Sequence, residues 1–465
     1  MEINAFLQDN IRSKSAEKAD FLEVRLQETY QHSVEYQGED LLRADASTDV
    51  GGFVRALVKG GVGIVSFNRL EDLPHKVEWA VQQAGIIGAR TDDKTVLAPV
   101  DPVVDKVTSY LKEDPRKVSL TEKKELMENY NHIILSYGNP VSSSRITYFD
   151  KYIRMFYLNT EGSNIEQEKV DIGGNLVALA TKNGNTQMFR VGLGGSQDFG
   201  VARGLEKQIR TACRKAADMI EVSPVRGGHY TVVLDPMLAG IFVHEAFGHL
   251  SESDHLYENE ALQKIMKPGT KFGGRHLNIY DTGLIEGYRG SLKYDDEGVP
   301  TERTDLIREG ELVGRLHTRE TAAKMGETPT GNARALDYNF PPICRMRTTC
   351  IEAGETELQD MICDIDEGVY ALDAYGGQTN GEMFTFKAGE AYMIRNGKVE
   401  EMVRDVNLTG NVFETLNHID AVGNDFTIRD SGGGCGKGGQ MPLPASEGAP
   451  SIRIKNVVVG GKTDG

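Results

Sequence analysis

The chain has 465 residues, 39% hydrophobic and 26% charged, with a formal net charge of −17. That length exceeds one small core and suits two or three domains, and the composition is that of a globular chain. The acidic balance works against non-specific nucleic-acid binding, which depends on Lys and Arg neutralising phosphates, and no apolar run reaches the ~18 residues a bilayer span needs.

Met1 to Asn10 holds no basic segment followed by an apolar core, so no secretory leader is expected and the expected location is cytoplasmic. Phe21 to Leu26, Gly51 to Val58 and Val62 to Phe67 alternate or are apolar, which predicts strands, with Gly60-Gly61 as a turn. Leu73 to Gly85 has helical spacing, and the lone Trp79 reads as core. Thr91 to Pro115, with several prolines and aspartates, predicts an extended connection. Ser119-Leu120-Thr121-Glu122 is a helix start, and apolar spacing continues to Tyr137. Ile146 to Phe149, Tyr152 to Leu158 and Asn175 to Thr181 are strand-like. Phe199 to Ile220 reads as a helix whose Arg203 to Lys215 stretch is a solvated face. Val222 to Gly228 is the expected boundary between an N-terminal α/β region (1–222, divisible into units of about 1–90 and 115–222) and a C-terminal domain (228–465).

Thr231 to Leu234 then predicts a buried strand. Asp235-Pro236 supplies an N-cap and a proline at the first helical position. Met237 to Val243 is apolar almost throughout, so the helix is buried, and it runs into His244-Glu245-Ala246-Phe247-Gly248-His249. Two imidazoles can hold zinc, and a carboxylate beside them can take a proton from water. The common zinc-peptidase spacing puts the histidines four apart; here they are five apart. At ~100° per residue, an i,i+5 pair lies about 140° apart on a regular helix and cannot share one ion. A π-type turn would return both to one side. Gly248, tolerant of unusual backbone angles, is placed to permit a bulge or termination between Phe247 and His249. The plain alternative is a hydrogen-bonded core histidine next to an exposed turn.

Downstream, Leu277 to Tyr280, Gly381 to Phe386, Ala391 to Ile394 and Ile452 to Val459 predict strands. Glu320 to Gly326 reads as a short helix, and Asn396-Gly397 as a hairpin turn. The expected class is α+β, with a β-rich, mostly antiparallel C-terminal domain carrying the metal-site helix. A catalytic zinc needs about three protein ligands. Cys435 stands out, because its flanking glycines let the backbone come close to a buried ion and Lys437 would favour the thiolate. A phosphate loop fails at two positions, Ser431 and Gly438; a flexible linker and a disulfide remain as alternatives. Cys213, Cys344, Cys350 and Cys363 form no C-x-x-C pair and read as buried thiols. The other histidines lack metal spacing; His255, six residues past His249, comes nearest.

The His244–His249 motif with Glu252 and Asp254 after it, and Cys435-Gly436-Lys437-Gly438-Gly439-Gln440 far downstream, resemble the TldD/PmbA metallopeptidases, specifically the TldD-like catalytic branch, once labelled modulators of DNA gyrase. Asp296-Glu297-Gly298, Gly331-Asn332-Ala333-Arg334, Gly376 to Asn380 and Val422-Gly423-Asn424-Asp425 match as well. The resemblance runs over essentially the whole chain and is strongest from about Thr231 to Ile454. It implies zinc held by His244, His249 and Cys435, with Glu245 as general base. It also implies cleavage of unfolded or extended peptides, and a dimer of like chains or with a TldE/PmbA-like partner. The histidines and glutamate, lost in the non-catalytic branch, are intact here. The glycines before Cys435 and Leu250-Ser251 depart from the family pattern, which bears on loop detail and specificity. Glu252 and Asp254 are candidates to orient His249. The glycines at 376–380 are candidates to let a peptide add to a strand edge. The rival functions are a non-enzymatic interaction protein with a structural zinc, and a metal-dependent amidase acting on small substrates. Any gyrase link reads as indirect, given the charge.

Overall fold

A computed structural model describes residues 3–430 and 432–460. The N-terminal part is one sheet wrapped by helices. A first helix, α1 (Ile3–Ile11), precedes β1 (Phe21–Gln37), β2 (Asp40–Val58), β3 (Gly61–Phe67) and α2 (Leu73–Gly88). Then follow β4 (Val104–Val107), α3 (Leu120–Leu135), β5 (Val141–Asn159), β6 (Asn164–Lys182), β7 (Asn185–Gly195) and α4 (Glu206–Met219). The strand order is β3-β2-β1-β5-β6-β4, with β7 also on β6. Residues on both sides of the 91–115 connection therefore share a sheet, and β4, within that connection, pairs parallel to β6. Packing divides the sheet in two. α1 and α2 bury Leu22, Val24, Leu26, Val54 and Ala56, while α3 and α4 bury Val34, Ile146, Ile172 and Leu176.

Several strands are longer than their sequence signal. β2 has 19 residues, but Asp40 to Asp49 is exposed at every position except Asp45. With no buried face there is no hydrophobic alternation to read, and the pairing with β1 alone carries the strand outward. Trp79 is 52% exposed, against the expectation of a core residue. α2 buries Leu73, Val77, Ala80, Val81 and Ala84, so position 79 falls on the opposite face, where Lys76 lies 4.7 Å over the ring. The helix expected over Phe199 to Ile220 is broken at Gly204 (φ +71) into a short turn (Phe199–Ala202) and α4.

The C-terminal part begins with β8 (Gly228–Leu234) and α5 (Pro236–Val243). The strands used below are β9 (Ile279–Thr282), β10 (Thr348–Ile351), β11 (Glu367–Asn380), β12 (Met383–Arg395), β13 (Asn407–Asn411), β14 (Cys435–Lys437), β15 (Gln440–Leu443), β16 (Ser446–Ala449) and β17 (Ile452–Gly460). Hydrogen bonding runs β8–β11–β12–β13–β17 and back to β8, closing a ring in which only β8–β11 is parallel. β9, β10 and β16 belong to a second sheet. α5 packs against β11 of the ring and β10 and β16 of that sheet, and Phe242 meets Phe384 and Phe386 edge-on. The helix leading to the histidines is thus clamped between two sheets. Asn396 and Gly397 turn with positive φ, and the short helix Arg319–Met325 ends on left-handed Gly326, both as expected. The fold is α+β. Among the described residues no helix is long and apolar enough to cross a membrane.

Candidate metal centre

The centre starts from the cap of α5. Asp235 Oδ1 accepts from the Leu238 amide at 2.8 Å, and Pro236 opens the helix. After Val243 the backbone widens into a π turn over His244–Gly248, in which the His249 N–H donates to the His244 carbonyl. That i→i+5 bond is what the five-residue spacing requires. Gly248 matters for another reason than the one expected. Its φ is an ordinary −56°, but a Cβ there would sit 1.9 Å from Met346 Sδ. The site needs room at Gly248, not conformational freedom.

Cys435 arrives on the β14–β15 hairpin. One ligand atom each from His244, His249 and Cys435 lies within 4.8 Å of the others. Cys435 Sγ is 3.3 Å from His249 Nε2, and the two imidazoles stand perpendicular with centroids 5.3 Å apart. Ligands at 2.0–2.3 Å from a shared tetrahedral ion lie about 3.3–3.8 Å apart, so the cluster has the right scale. Two imidazoles and a thiolate are a donor set suited to zinc. The segment before Cys435 is packed, not a free linker. Gly432 has φ +69, and a Cβ there would lie 2.3 Å from the Leu193 carbonyl oxygen and 2.4 Å from Gly174 N, on β7 and β6. A β-hairpin follows it where a phosphate loop would lead into a helix. All five cysteines are free thiols; Cys363 is exposed, correcting the expectation of a buried group, because it caps the short helix Leu358–Ile362 at the surface.

The charges around the cluster favour a thiolate. Burial alone would raise the Cys435 thiol, but His244 and His249 beside it bring it down to about 5. Burial opposes the His244 imidazolium, yet Cys435 holds that ring up to about 9. The two histidines lead this effect, and Lys437, expected to favour the thiolate, directs its charge at other groups. Its Nζ pairs with Glu252 Oε2 at 2.9 Å and Asp254 Oδ1 at 2.5 Å, and donates to the Cys344 carbonyl at 2.8 Å. Glu252, fully buried, meets His249 Nδ1 at 3.0 Å, which turns Nε2 toward Cys435. Lys437 therefore ties the cysteine strand to the carboxylate that aims His249. Asp254 acts one step further out, on Lys437 and on the Cys344 amide.

Glu245 Oε2 lies 3.9 Å from His249 Nε2, and burial raises its carboxyl above the usual range. Thr379 Oγ1 on β11 donates to the Glu245 carbonyl at 2.7 Å. A Cβ at Gly377 would come within 3.4 Å of Glu245 Cγ. The sequence marked Thr379 only as part of the matching stretch 376–380, and did not mark Glu447 on β16. Glu447 Oε1 stands 3.5 Å from His244 Nδ1, a buried nitrogen with no hydrogen-bond partner, and burial pushes its carboxyl up to about 7. Nothing local in the sequence links Glu447 to His244; Gly240, against which its Cβ packs, supplies the space.

Family models match three stretches: residues 22–84 as PmbA/TldA metallopeptidase domain 1, 113–220 as the central domain and 227–461 as the C-terminal domain. A metalloprotease of Synechocystis sp. is 44% identical, covering 96% of this chain and 95% of its own. A metalloprotease of Methanothermobacter thermautotrophicus is 33% identical, covering 99% and 100%. A Saccharolobus solfataricus relative named as a zinc metalloprotease and TldD homolog is 36% identical over 250 residues, covering 53% of this chain and 55% of its own. TldE from Thermococcus kodakarensis shares the fold, with a TM-score of 0.75 at 19% identity over 98% of this chain and 100% of its own. The chain belongs to the PmbA/TldD family of metallopeptidases.

Proposed function

We propose that this family member is a zinc-dependent peptidase, with His244, His249 and Cys435 as the metal ligands and Glu245 as the general base. The supporting observation is the convergence of the three ligand atoms beside the Glu245 carboxylate. Zinc held there supplies Lewis acidity toward water and the scissile carbonyl. The protein's own groups do the rest. Glu245 Oε2 accepts a proton from the attacking water and delivers it to the amide nitrogen as the C–N bond breaks and a C–O bond forms. Glu252 holds the proton of His249 Nδ1, which keeps Nε2 free as a ligand. Burial keeps the Glu245 carboxyl raised, closer to the working pH of a proton carrier.

The substrate is an extended peptide. β11 pairs with β12 along its length, but with β8 only from Gly368 to Ala371. Beyond Ala371 its other edge has no strand partner among the described residues, and there Gly377 and Thr379 lie against Glu245. A peptide added on that edge passes the carboxylate with its backbone satisfied, whatever its side chains. Folded proteins cannot present such a strand. The chain works as a dimer, with a second copy or a TldE-like chain as partner, and a cytoplasmic setting suits its metal-bound thiolate. An N-terminal region over 1–222 and a metallopeptidase domain over 228–465 form its working units.

The deciding experiment is Glu245→Gln, assayed on unstructured peptides and small amides alongside metal analysis. Zinc stays stoichiometric and peptide cleavage falls by about 10²–10⁴-fold. Unchanged cleavage would exclude Glu245 as the base, and small amides cleaved in preference to peptides would make the protein an amidase.

A further inference from the structure

A second convergence of buried polar groups borders the cysteine hairpin. Lys169 on β6, Arg347 just before β10 and Arg25 on β1 line a cleft of about 60 Å³, walled on one side by Pro442, Leu443 and Pro444. Leu443 is the residue paired with Cys435. Lys169 is only 9% exposed, and its Nζ has no hydrogen-bond or ion-pair partner among the described residues. Arg347, 1% exposed, spends Nε on the Gly331 carbonyl, but both Nη1 and Nη2 are buried without an acceptor. Arg25 pairs through Nη2 with Asp296, leaving Nη1 buried and unpartnered.

The nearby carboxylates are already committed. Asp171 is held by Arg289 Nε at 2.5 Å, and Asp296 by Arg25 and the Ala335 amide. Asp281 accepts from Asn332, Thr349 and the Arg347 amide. Asp295 accepts three backbone amides, and burial with Glu297 beside it raises its carboxyl above the usual range. The cleft is lined by Arg25, Lys151, Lys169, Arg334 and Arg347 against Asp171 and Asp296, a formal excess of three positive charges. Each unmet buried donor costs about 1–3 kcal/mol, and unpaired buried charge costs more. Water can meet the donors but not the charge.

We propose that this cleft binds a small tetrahedral oxyanion of the phosphate or sulfate class, with Lys169, Arg347 and Arg25 as its ligands. A water position takes roughly 10–15 Å³ of such space, so the cleft holds about five heavy atoms, the size of one such anion. Two of its walls come from the N-terminal sheet and the C-terminal domain, so the anion joins the two parts beside the strand paired with the one that carries Cys435. Burial and Arg334 push Lys169 down to about 7, and a bound anion restores its charge.

The test is thermal unfolding of the metal-loaded protein at pH 7 in inorganic phosphate, sulfate, acetate or chloride at matched ionic strength, with Lys169→Met beside the wild type. The wild type gains about 2–5 °C, saturably, in phosphate or sulfate over chloride. Lys169→Met loses the gain while keeping its zinc, which separates this cleft from the metal centre. No gain, a gain equal in Lys169→Met, or a response to acetate alone overturns the proposal. Selenate diffused into wild-type crystals gives the second readout. An anomalous peak between Lys169 and Arg347 supports the site, and its absence at saturating selenate sinks it.

Discussion

Two buried polar clusters border one hairpin, and they differ in sign. Around Cys435, lone pairs converge: two ring nitrogens and a sulfur within 4.8 Å. Behind Leu443, donors converge: an ammonium and two guanidinium groups on a cleft of about 60 Å³. The first arrangement calls for a cation and the second for an anion, because a buried charge or unmet polar group must find its complement. The contrast also separates kinds of burial. Of the proposed ligands, His249 and the Cys435 strand are held by a carboxylate and a lysine that are themselves bonded, whereas the cleft's donors are left free on an otherwise committed scaffold.

The sharpest way to break the contrast is Cys435→Ser, which removes a ligand from one cluster only. It loses stoichiometric zinc, and peptide hydrolysis drops by about 10³-fold or more; full zinc retention would dissolve the first cluster as a metal centre. A smaller effect comes from Asp235, which caps the helix leading to the histidines. Burial raises its carboxyl from 3.8 to about 6. The folded state thus prefers the protonated form. The resulting stability is present below pH 4 and lost as pH rises to 6, on the order of 2–3 kcal/mol. Denaturant unfolding from pH 4 to 7 should show this decline in the wild type and a shallower one in Asp235→Asn; parallel profiles would show that Asp235 is not the source.

Lys437→Met probes the tie between cysteine strand and histidine. Zinc affinity, read by chelator competition, weakens about 10–100-fold, and an unaltered dissociation constant would reduce Lys437 to a packing role. The mildest change is Gly248→Ala. Its new methyl meets Met346, a flexible but buried side chain, so unfolding free energy falls by about 1–2 kcal/mol. A neutral result would mean Met346 yields without strain.

Local signals were readable wherever one residue or one short spacing fixes the outcome. The five-residue histidine spacing foretold the π turn, and Asp235-Pro236 foretold the start of α5. What escaped the sequence depended on distant partners. Glu447 reaches His244 only because β16 packs on α5. Lys437 sits near Cys435 in sequence, yet its side chain turns to Glu252 and Asp254. Trp79 misled because an apolar residue in an apolar helix says nothing of which face is covered. The outer part of β2 was silent because strand pairing, not burial, sustains it. Lys169 and Arg347 carry no motif at all; only the folded arrangement shows that their neighbours are already engaged.

The closing ring has a consequence for synthesis. β17, Ile452 to Gly460, lies between β8 and β13, so the strand that opens the C-terminal part waits on one made more than two hundred residues later. Pairings of such sequence separation form slowly, and a nascent chain paused before Cys435 holds both histidines but no thiolate. With the proposed ligand set, a protease assembled this way stays without its full metal site until translation has passed Cys435.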